Sequence, residues 1–463
     1  MSTALDVLPN EVINGIGLCL PRGSLAKLAQ CSSHFYAMCI ELLYSHCTVK
    51  DQEMLGRLIN TILNRAVIGP SIRWLDLRQF NWNAFCISSC RKPTSRTLFK
   101  KAISVQNNLS SWNISRWTNG SYYVSSWTLI TVLLCLVPEL KVLALPALEP
   151  ERHFHGYFSR GSHYDVSTFS GFVELIGKYQ QCILQDRLPL MVLTKLESVT
   201  IGTEFYDRKA ELHFIMPLIN LRSVKRVKVF SLCYHGRSNS PRVVCTKPIP
   251  NIESLDFLSC TFVGDIATFL GRFTGIQRFC LIQVPRITYE KLSEMPLSVD
   301  NILGGLTSSK HSLEHVDISF ASRKPDGEPV SLSEFKRLQL LKLWPCPAIW
   351  SKGSPIKSES QLINCLPPGL RNLVCKPFFD EHDVVSLEQL YQLVAEKEKY
   401  VPELRKIELI WDDASLAYKC EDCEKHCELN EKIPFFAKLI AECEAKNIHI
   451  VSGHPLWKLT ATT

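Results

Sequence analysis

Leu313-Glu314-His315-Val316-Asp317-Ile318 and, further on, Leu338-Gln339-Leu340-Leu341-Lys342-Leu343 share one spacing of apolar residues. An apolar residue is followed by another three positions later, and by a third after one spacer. The last two apolars flank a single residue, the period of a short β-strand with one face buried. Working outward, the same spacing occurs at Ile72-Leu75-Leu77, Leu140-Leu143-Leu145, Leu196-Val199-Ile201 and Val224-Val227-Val229. It continues at Ile252-Leu255-Phe257, Ile276-Phe279-Leu281, Leu370-Leu373-Cys375 and Leu404-Ile407-Leu409, with a weaker copy at Ile448-Ile450. From Val199 onward successive central residues stand 24 to 41 positions apart. Each step then holds one strand and one return segment. Neighbouring strands pair in parallel, and the return segments stack outside them.

This predicts an α/β fold: an irregular solenoid with a parallel concave sheet over residues 68–455, followed by a short tail, 456–463. Several return segments have the apolar period of a helix, at 166–184, 387–394 and 433–443. Residues 79–126 carry Ser, Asn and aromatic residues without a repeat. Residues 149–164, 234–250, 320–333 and 345–360 are rich in Pro, Gly, Ser and basic residues and read as loops. The array resembles a leucine-rich-repeat domain, whose repeats run ~20–29 residues. The longer steps need inserted loops. That family often places Asn or Cys three residues past the last strand apolar, and only Cys260 and Cys346 match here. The repeat is therefore degenerate.

The N-terminal segment has a different period. Leu8-Pro9-Asn10-Glu11-Val12 is followed by Ile13, Ile16, Leu20, Leu25, Leu28, Cys31-Ser32-Ser33-His34-Phe35 and Leu42-Leu43-Tyr44. Helical spacing broken at Pro21-Arg22-Gly23 and Ser32-Ser33 predicts three short helices, about 9–20, 24–31 and 33–46. Ser24 and Ser32 or Ser33 are candidate N-caps. Gly15 and Gly17 fall inside the first helix, each costing ~1 kcal/mol relative to Ala. So few residues bury little surface. Their apolar stripe must dock on the rest of the chain or on a partner. This stretch resembles the F-box of fungal F-box proteins, which opens on Leu-Pro-x-Glu-hydrophobic and closes on Leu-Leu-Tyr. The resemblance implies a module of residues 1–48, joined by a connecting helix or linker (49–67) to the solenoid. It also implies binding to the Skp-type adaptor of a cullin-type (SCF) ubiquitin ligase, through Leu8, Pro9, Ile13, Ile16, Leu20, Leu25, Leu28 and Phe35. The repeat domain would then hold a target protein.

Composition fits a folded protein. Of 463 residues, 46% are hydrophobic and 21% charged, which describes a globular chain rather than a disordered one. A net charge of +7 falls short of a nucleic-acid-binding signature. With no basic leader and apolar core at the N-terminus, the 19 cysteines read as reduced thiols of a cytoplasmic or nuclear protein. The longest apolar run, 127–137, is too short to span a bilayer.

No catalytic constellation stands out, and no cofactor or enzymatic activity is expected. Gly171 to Lys178 has the wrong glycine spacing for a phosphate loop, and Tyr179 replaces its Ser/Thr. Cys420, Cys423, His426 and Cys427 have metal-ligand spacing, with Cys443 as a conceivable fourth ligand. A reduced cysteine-rich loop explains them as well. The strand spacers offer a mostly basic stripe: Arg226, Lys228 and Phe230, then Arg278, then Lys342 and Trp344. These are the candidate target contacts, with Phe230 and Trp344 as apolar anchors. Two rival readings are a scaffold whose N-terminal helices only cap the solenoid, and a nucleic-acid binder using the basic stripe. Asp256, Asp317 and Glu408 on the same stripe count against the second.

Overall fold

The computed structural model describes residues 8–80, 126–146, 173–174, 176, 192–202, 210–235, 248–263, 266–283, 299–319, 331–344, 361–375, 383–410 and 426–452. The chain divides into two compact units, Met1–Ser231 and Leu232–Thr463.

The first unit opens with α1 (Asn10–Cys19), α2 (Arg22–Cys31) and α3 (Ser33–Tyr44), followed by α4 (Gln52–Asn64) and α5 (Ile68–Ser71). Further on come α6 (Ser126–Leu136) and α7 (Leu212–Ile219). Its five parallel strands are β1 (His46–Thr48), β2 (Trp74–Asp76), β3 (Val142–Leu145), β4 (Ser198–Ile201) and β5 (Arg226–Phe230). They lie side by side in chain order. The sheet thus begins at His46, directly after α3 and inside the stretch read as the end of the third helix. Helix α6 is apolar almost throughout. It is buried, and its Thr131 hydroxyl donates to the Trp127 carbonyl at 2.9 Å.

Among the described residues, the main sheet of the second unit has seven parallel strands, also in chain order: β6 (Ser254–Leu258), β7 (Arg278–Ile282), β8 (His315–Ser319), β9 (Leu340–Trp344), β10 (Asn372–Cys375), β11 (Lys406–Leu409) and β12 (His449–Ser452). Its helices are α8 (Ile266–Leu270), α9 (Val299–Leu306), α10 (Gln361–Cys365), α11 (Asp383–Ala395), α12 (Lys397–Tyr400) and α13 (His426–Ala445). Two of the expected return helices fall within α11 and α13. The third, 166–184, lies almost entirely outside the described residues, as do most of the expected loops and Cys346.

Every apolar residue of the ten repeat copies is buried, none more than 3% exposed. Burial of this kind contributes roughly 25 cal/mol per Å² and dominates the stability of both units. The second unit also packs an aromatic cluster: Phe257 lies 5.3 Å from Phe262 and 6.5 Å from Phe279, both edge-on. Phe269 meets Phe273 edge-on at 5.2 Å.

Repeat geometry extends one turn further back than the sequence pattern. The first apolar of a copy donates its N–H to a carbonyl three residues earlier: Leu140 to Val137, Leu196 to Leu193, Val224 to Leu221, Leu338 to Phe335, Leu404 to Val401. Those upstream residues are buried as well. The turns are tied to one another by hydroxyls. Ser309, 1% exposed, donates to the Phe273 carbonyl at 2.7 Å and accepts the Ile276 N–H at 3.2 Å. Ser223 donates to the Leu193 carbonyl at 2.8 Å. Cys260 does satisfy turn groups, accepting the Leu232 N–H and donating to the Leu258 carbonyl, each at 3.3 Å.

Candidate docking surfaces

In the N-terminal helices, Leu25, Ala29 and Cys39 form the buried cluster, with Leu20, Leu28, Tyr36, Leu42 and Leu43 packed against it. Ser32 caps α3, its hydroxyl accepting the Phe35 N–H at 3.1 Å. Ser24 does not cap α2, which starts two residues earlier at Arg22 after Pro21. Gly17 has a packing reason to sit in a helix. A Cβ there would stand 2.7 Å from Leu42 Cδ1 and 3.4 Å from Leu25 Cδ1, so glycine lets α1 close on its neighbours. Gly15 faces open space.

The expected adaptor contacts therefore separate into two sets. Ile13, Leu25 and Phe35 are core residues, each 3% exposed, and are unavailable to a partner while the helices stay packed. Leu8, Leu20 and Leu28 are half-buried, and Pro9 is exposed. Ile16 is 39% exposed and stands one turn from Val12, 45% exposed. With Cys19, also exposed, they run at i, i+4 and i+7 along one side of α1. Val12 was visible in the sequence as the hydrophobic residue after Glu11.

On the sheet face away from the core, strand register aligns the spacers into rows. In the first unit one row reads His46, Trp74, Val142, Ser198, Arg226, and the next reads Thr48, Asp76, Ala144, Thr200, Lys228. Trp74 is 39% exposed, with its ring 5.4 Å from that of His46. The basic-stripe reading missed it by starting at Val224. A tryptophan at a spacer position of the first copy was the signal. Phe230, by contrast, is only 3% exposed. It lies beneath Lys228, whose ammonium is 4.8 Å from the ring centroid, and it offers no accessible anchor.

In the second unit the central row reads Asp256, Cys280, Asp317, Lys342, Val374, Glu408, Val451. Its cations are paired. Lys342 reaches Asp317 at 3.0 Å, Lys406 reaches Glu408 at 2.7 Å, and Arg278 lies 3.5 Å from Asp256. Arg226 in the first unit lies 3.6 Å from Glu197. Of the expected basic stripe, Arg226, Arg278 and Lys342 thus each face a carboxylate, while Lys228 stands over Phe230. Burial pushes the Cys280 thiol up to about 12, with Asp317 and Asp256 adding to the effect, so it stays protonated. Trp344 keeps its register opposite Ser319 on β9.

Cys443 does not join the metal-like cluster. Cys420 and Cys423 lie outside the described residues. Cys427 and Cys443 share helix α13, sixteen residues apart and hence ~24 Å along its axis, too far to bind one ion. Cys443 is also buried, with its thiol pushed up to about 12 by desolvation. Among the described residues no group of three or more His, Cys, Asp or Glu is placed to hold a metal. No helix among them is long and apolar enough to cross a membrane.

One cavity of about 680 Å³ sits in the first unit, at the ends where the strands begin. Arg73, Lys141, Glu197 and Lys225 line it, each the residue immediately before a strand. Among the described residues, Glu139, Lys195 and the hydroxyl residues Thr194 and Ser223 line it as well. Glu139 accepts from Arg73 Nη1 and from Lys195 Nζ, both at 2.6 Å. Those bonds, Lys195 first, hold its carboxyl below the usual range. No protein-family model matches the chain, and no curated protein is similar to it.

Proposed function

We propose that this chain is the substrate-recognition subunit of a cullin-type ubiquitin ligase. The N-terminal helices dock a Skp-type adaptor, and the parallel-strand repeats, in the manner of a leucine-rich-repeat solenoid, hold the target. In this reading the chain performs no chemistry. It places target lysines near a ubiquitin-loaded enzyme and so raises their effective concentration. The observation that supports it most is the uncovered row Val12, Ile16 and Cys19 on α1, in a segment whose residues match the F-box order. Pro9 and Ile16, with the half-buried Leu8, Leu20 and Leu28, stay as candidate contacts. Ile13, Leu25 and Phe35 act only by shaping the module.

The test is co-purification of the adaptor and cullin with the full chain. Aspartate at both Val12 and Ile16 should abolish capture while leaving the far-ultraviolet spectrum and urea midpoint unchanged, because both side chains already face solvent. Undiminished capture by this double variant rejects the proposal.

The capping reading has its own support. Helix α3 leads directly into β1, and the Arg65 guanidinium lies 5.4 Å over the Tyr36 ring. If the helices only cap the repeats, deleting 1–31 should lower the stability of the first unit, and the parent should capture no adaptor.

A further inference from the structure

His46 and Trp74 meet on the sheet face away from the core of the first unit, paired across β1 and β2. Both are exposed, Trp74 by 39%, and their rings lie 5.4 Å apart at 35°. The position of the imidazole hydrogen follows from the neighbours. Ser45 has one hydroxyl proton and donates it to the Leu42 carbonyl at 2.9 Å. The same oxygen lies 3.0 Å from His46 Nδ1. With its own proton committed, that oxygen can only accept, so Nδ1 carries the hydrogen. In the neutral ring Nε2 is then a bare acceptor. It has no hydrogen-bond partner among the described residues. Ser45 is itself held in place, because its carbonyl accepts the Arg73 and Trp74 N–H groups at 3.0 and 2.8 Å.

The surroundings narrow the occupant. Past Trp74 the face carries small side chains: Val142 and Ala144 on β3, then Ser198 and Thr200 on β4. An indole beside so low a floor can receive a flat ring, and tryptophan is among the residues that dominate interfaces. The carboxylate of this part of the face, Asp76, already accepts from Arg78 Nε at 3.1 Å and Nη2 at 2.8 Å. A partner's cation would have to compete with Arg78 for it. A partner's carboxylate brings no proton for Nε2, and neither does an aliphatic or phenylalanine side chain. Tyrosine brings both parts: a ring that packs on indole and a hydroxyl that donates from its rim.

We propose that the His46–Trp74 corner anchors a tyrosine side chain of a protein partner. The phenol ring packs on the Trp74 indole, and its hydroxyl donates to His46 Nε2. Ser45 is a positioning residue that acts by holding the tautomer. That the partner is the ligase target rests on the function proposed above; the chemistry of the corner does not.

The test is fluorine NMR of the full chain labelled with fluorotryptophan, the Trp74 signal being assigned by its loss in Trp74→Phe. The probes are the peptide Gly-Ser-Tyr-Ser-Gly and its phenylalanine and phosphotyrosine counterparts, at millimolar concentration. The tyrosine peptide should shift the Trp74 signal and bind roughly three- to tenfold more tightly than the phenylalanine peptide, the effect of one neutral hydrogen bond. His46→Ala should bring that ratio to about one while leaving the ring contact. Ser45→Ala should lower the ratio, and Ser45→Thr should restore it. A ratio of two peptides on one protein is insensitive to loss of folded material. A Trp74 signal unmoved by the tyrosine peptide overturns the proposal. So does equal binding of the tyrosine and phenylalanine peptides by the parent, which leaves only an apolar patch. An unchanged ratio in His46→Ala or Ser45→Ala overturns it as well. Tighter binding of the phosphotyrosine peptide than of the tyrosine peptide overturns it in favour of an anion site. Adaptor capture by the parent is scored separately. Peptide binding without adaptor capture removes the ligase reading alone, and capture without peptide binding removes this inference alone.

Discussion

The two units solve one backbone problem alike and dress it differently. In both, the residue before a strand accepts two N–H groups of the next copy on its carbonyl. Arg73 does this for Lys141 and Val142, Lys141 for Glu197 and Ser198, and Glu197 for Lys225 and Arg226. In the second unit Glu253 does it for Gln277 and Arg278, and Gln277, Glu314, Gln339 and Arg371 follow in turn. The main chain does the structural work, so the side chain at this position is free to differ. The first unit places Arg73, Lys141, Glu197 and Lys225 there. The second begins Glu253, Gln277, Glu314, Gln339, and its rim charges are neutralised locally, Arg337 by Glu314 at 3.3 Å and Arg371 by Glu403 at 2.9 Å. The same backbone frame thus carries a mostly basic rim in one unit and, in the other, a rim that begins with acidic and amide side chains.

The largest effects should come from the cores that hold the rims in place. Phe257→Ala empties the centre of the aromatic cluster and should cost ~3–5 kcal/mol in urea unfolding. In the first unit Gly69→Ala should be comparably damaging for the opposite reason, since a Cβ would stand 2.2 Å from the Leu136 carbonyl oxygen. If Gly69→Ala proves harmless, the units differ in how tightly they are built as well as in charge.

Next come the hydroxyls that tie turn to turn. Ser309→Ala should cost ~1–3 kcal/mol, because it strands the buried N–H of Ile276. Ser223→Ala loses one bond at a half-buried site and should cost less, ~0.5–1.5 kcal/mol. A reversed order would mean that the first unit depends more on these links than its geometry suggests.

Alkaline pH should act through buried thiols. Cys280 and Cys375 in the second unit have pKa values pushed up by burial to about 12, from an ordinary 9.0. A group whose pKa is raised on folding contributes fully below its unfolded value and loses that contribution as pH climbs to the folded one. Urea midpoints should therefore fall between pH 9 and 12. Cys375→Val, which keeps an apolar side chain in the strand, should flatten the decline.

The smallest effects should be on the rims themselves. Lys141→Gln in the first unit and Arg337→Gln in the second should each change stability by no more than ~0.5 kcal/mol. A larger loss on either side would make that rim structural and blur the distinction between the units.

Much of this architecture was legible in the amino-acid order. Alternation at Leu341 and Leu343 or at Val199 and Ile201 reports a strand directly, because a strand turns every second side chain to the core. The upstream apolars Leu193, Leu221, Phe335 and Val401 were equally visible, and the turn they define was missed because the pattern was begun one element too late. Charge pairing was harder. Lys342 and Asp317 lie 25 residues apart, and only strand register shows that they touch. Burial of Phe230 at a spacer position runs against the alternation rule, and nothing in the sequence marks the Lys228 ammonium that stands over its ring. The cavity was hidden for a related reason. Glu139 and Lys195 are 56 residues apart, and nothing local to either marks them as one wall.

A rim whose backbone role is indifferent to its side chains is also a natural engineering site. The identities at 73, 141, 197 and 225 can be exchanged as a set, acidic for basic, with the hydrogen-bonded frame left as it is. One chain could then yield a family of variants differing only in the charge sequence along that rim, each a four-position code written at the pitch of neighbouring strands.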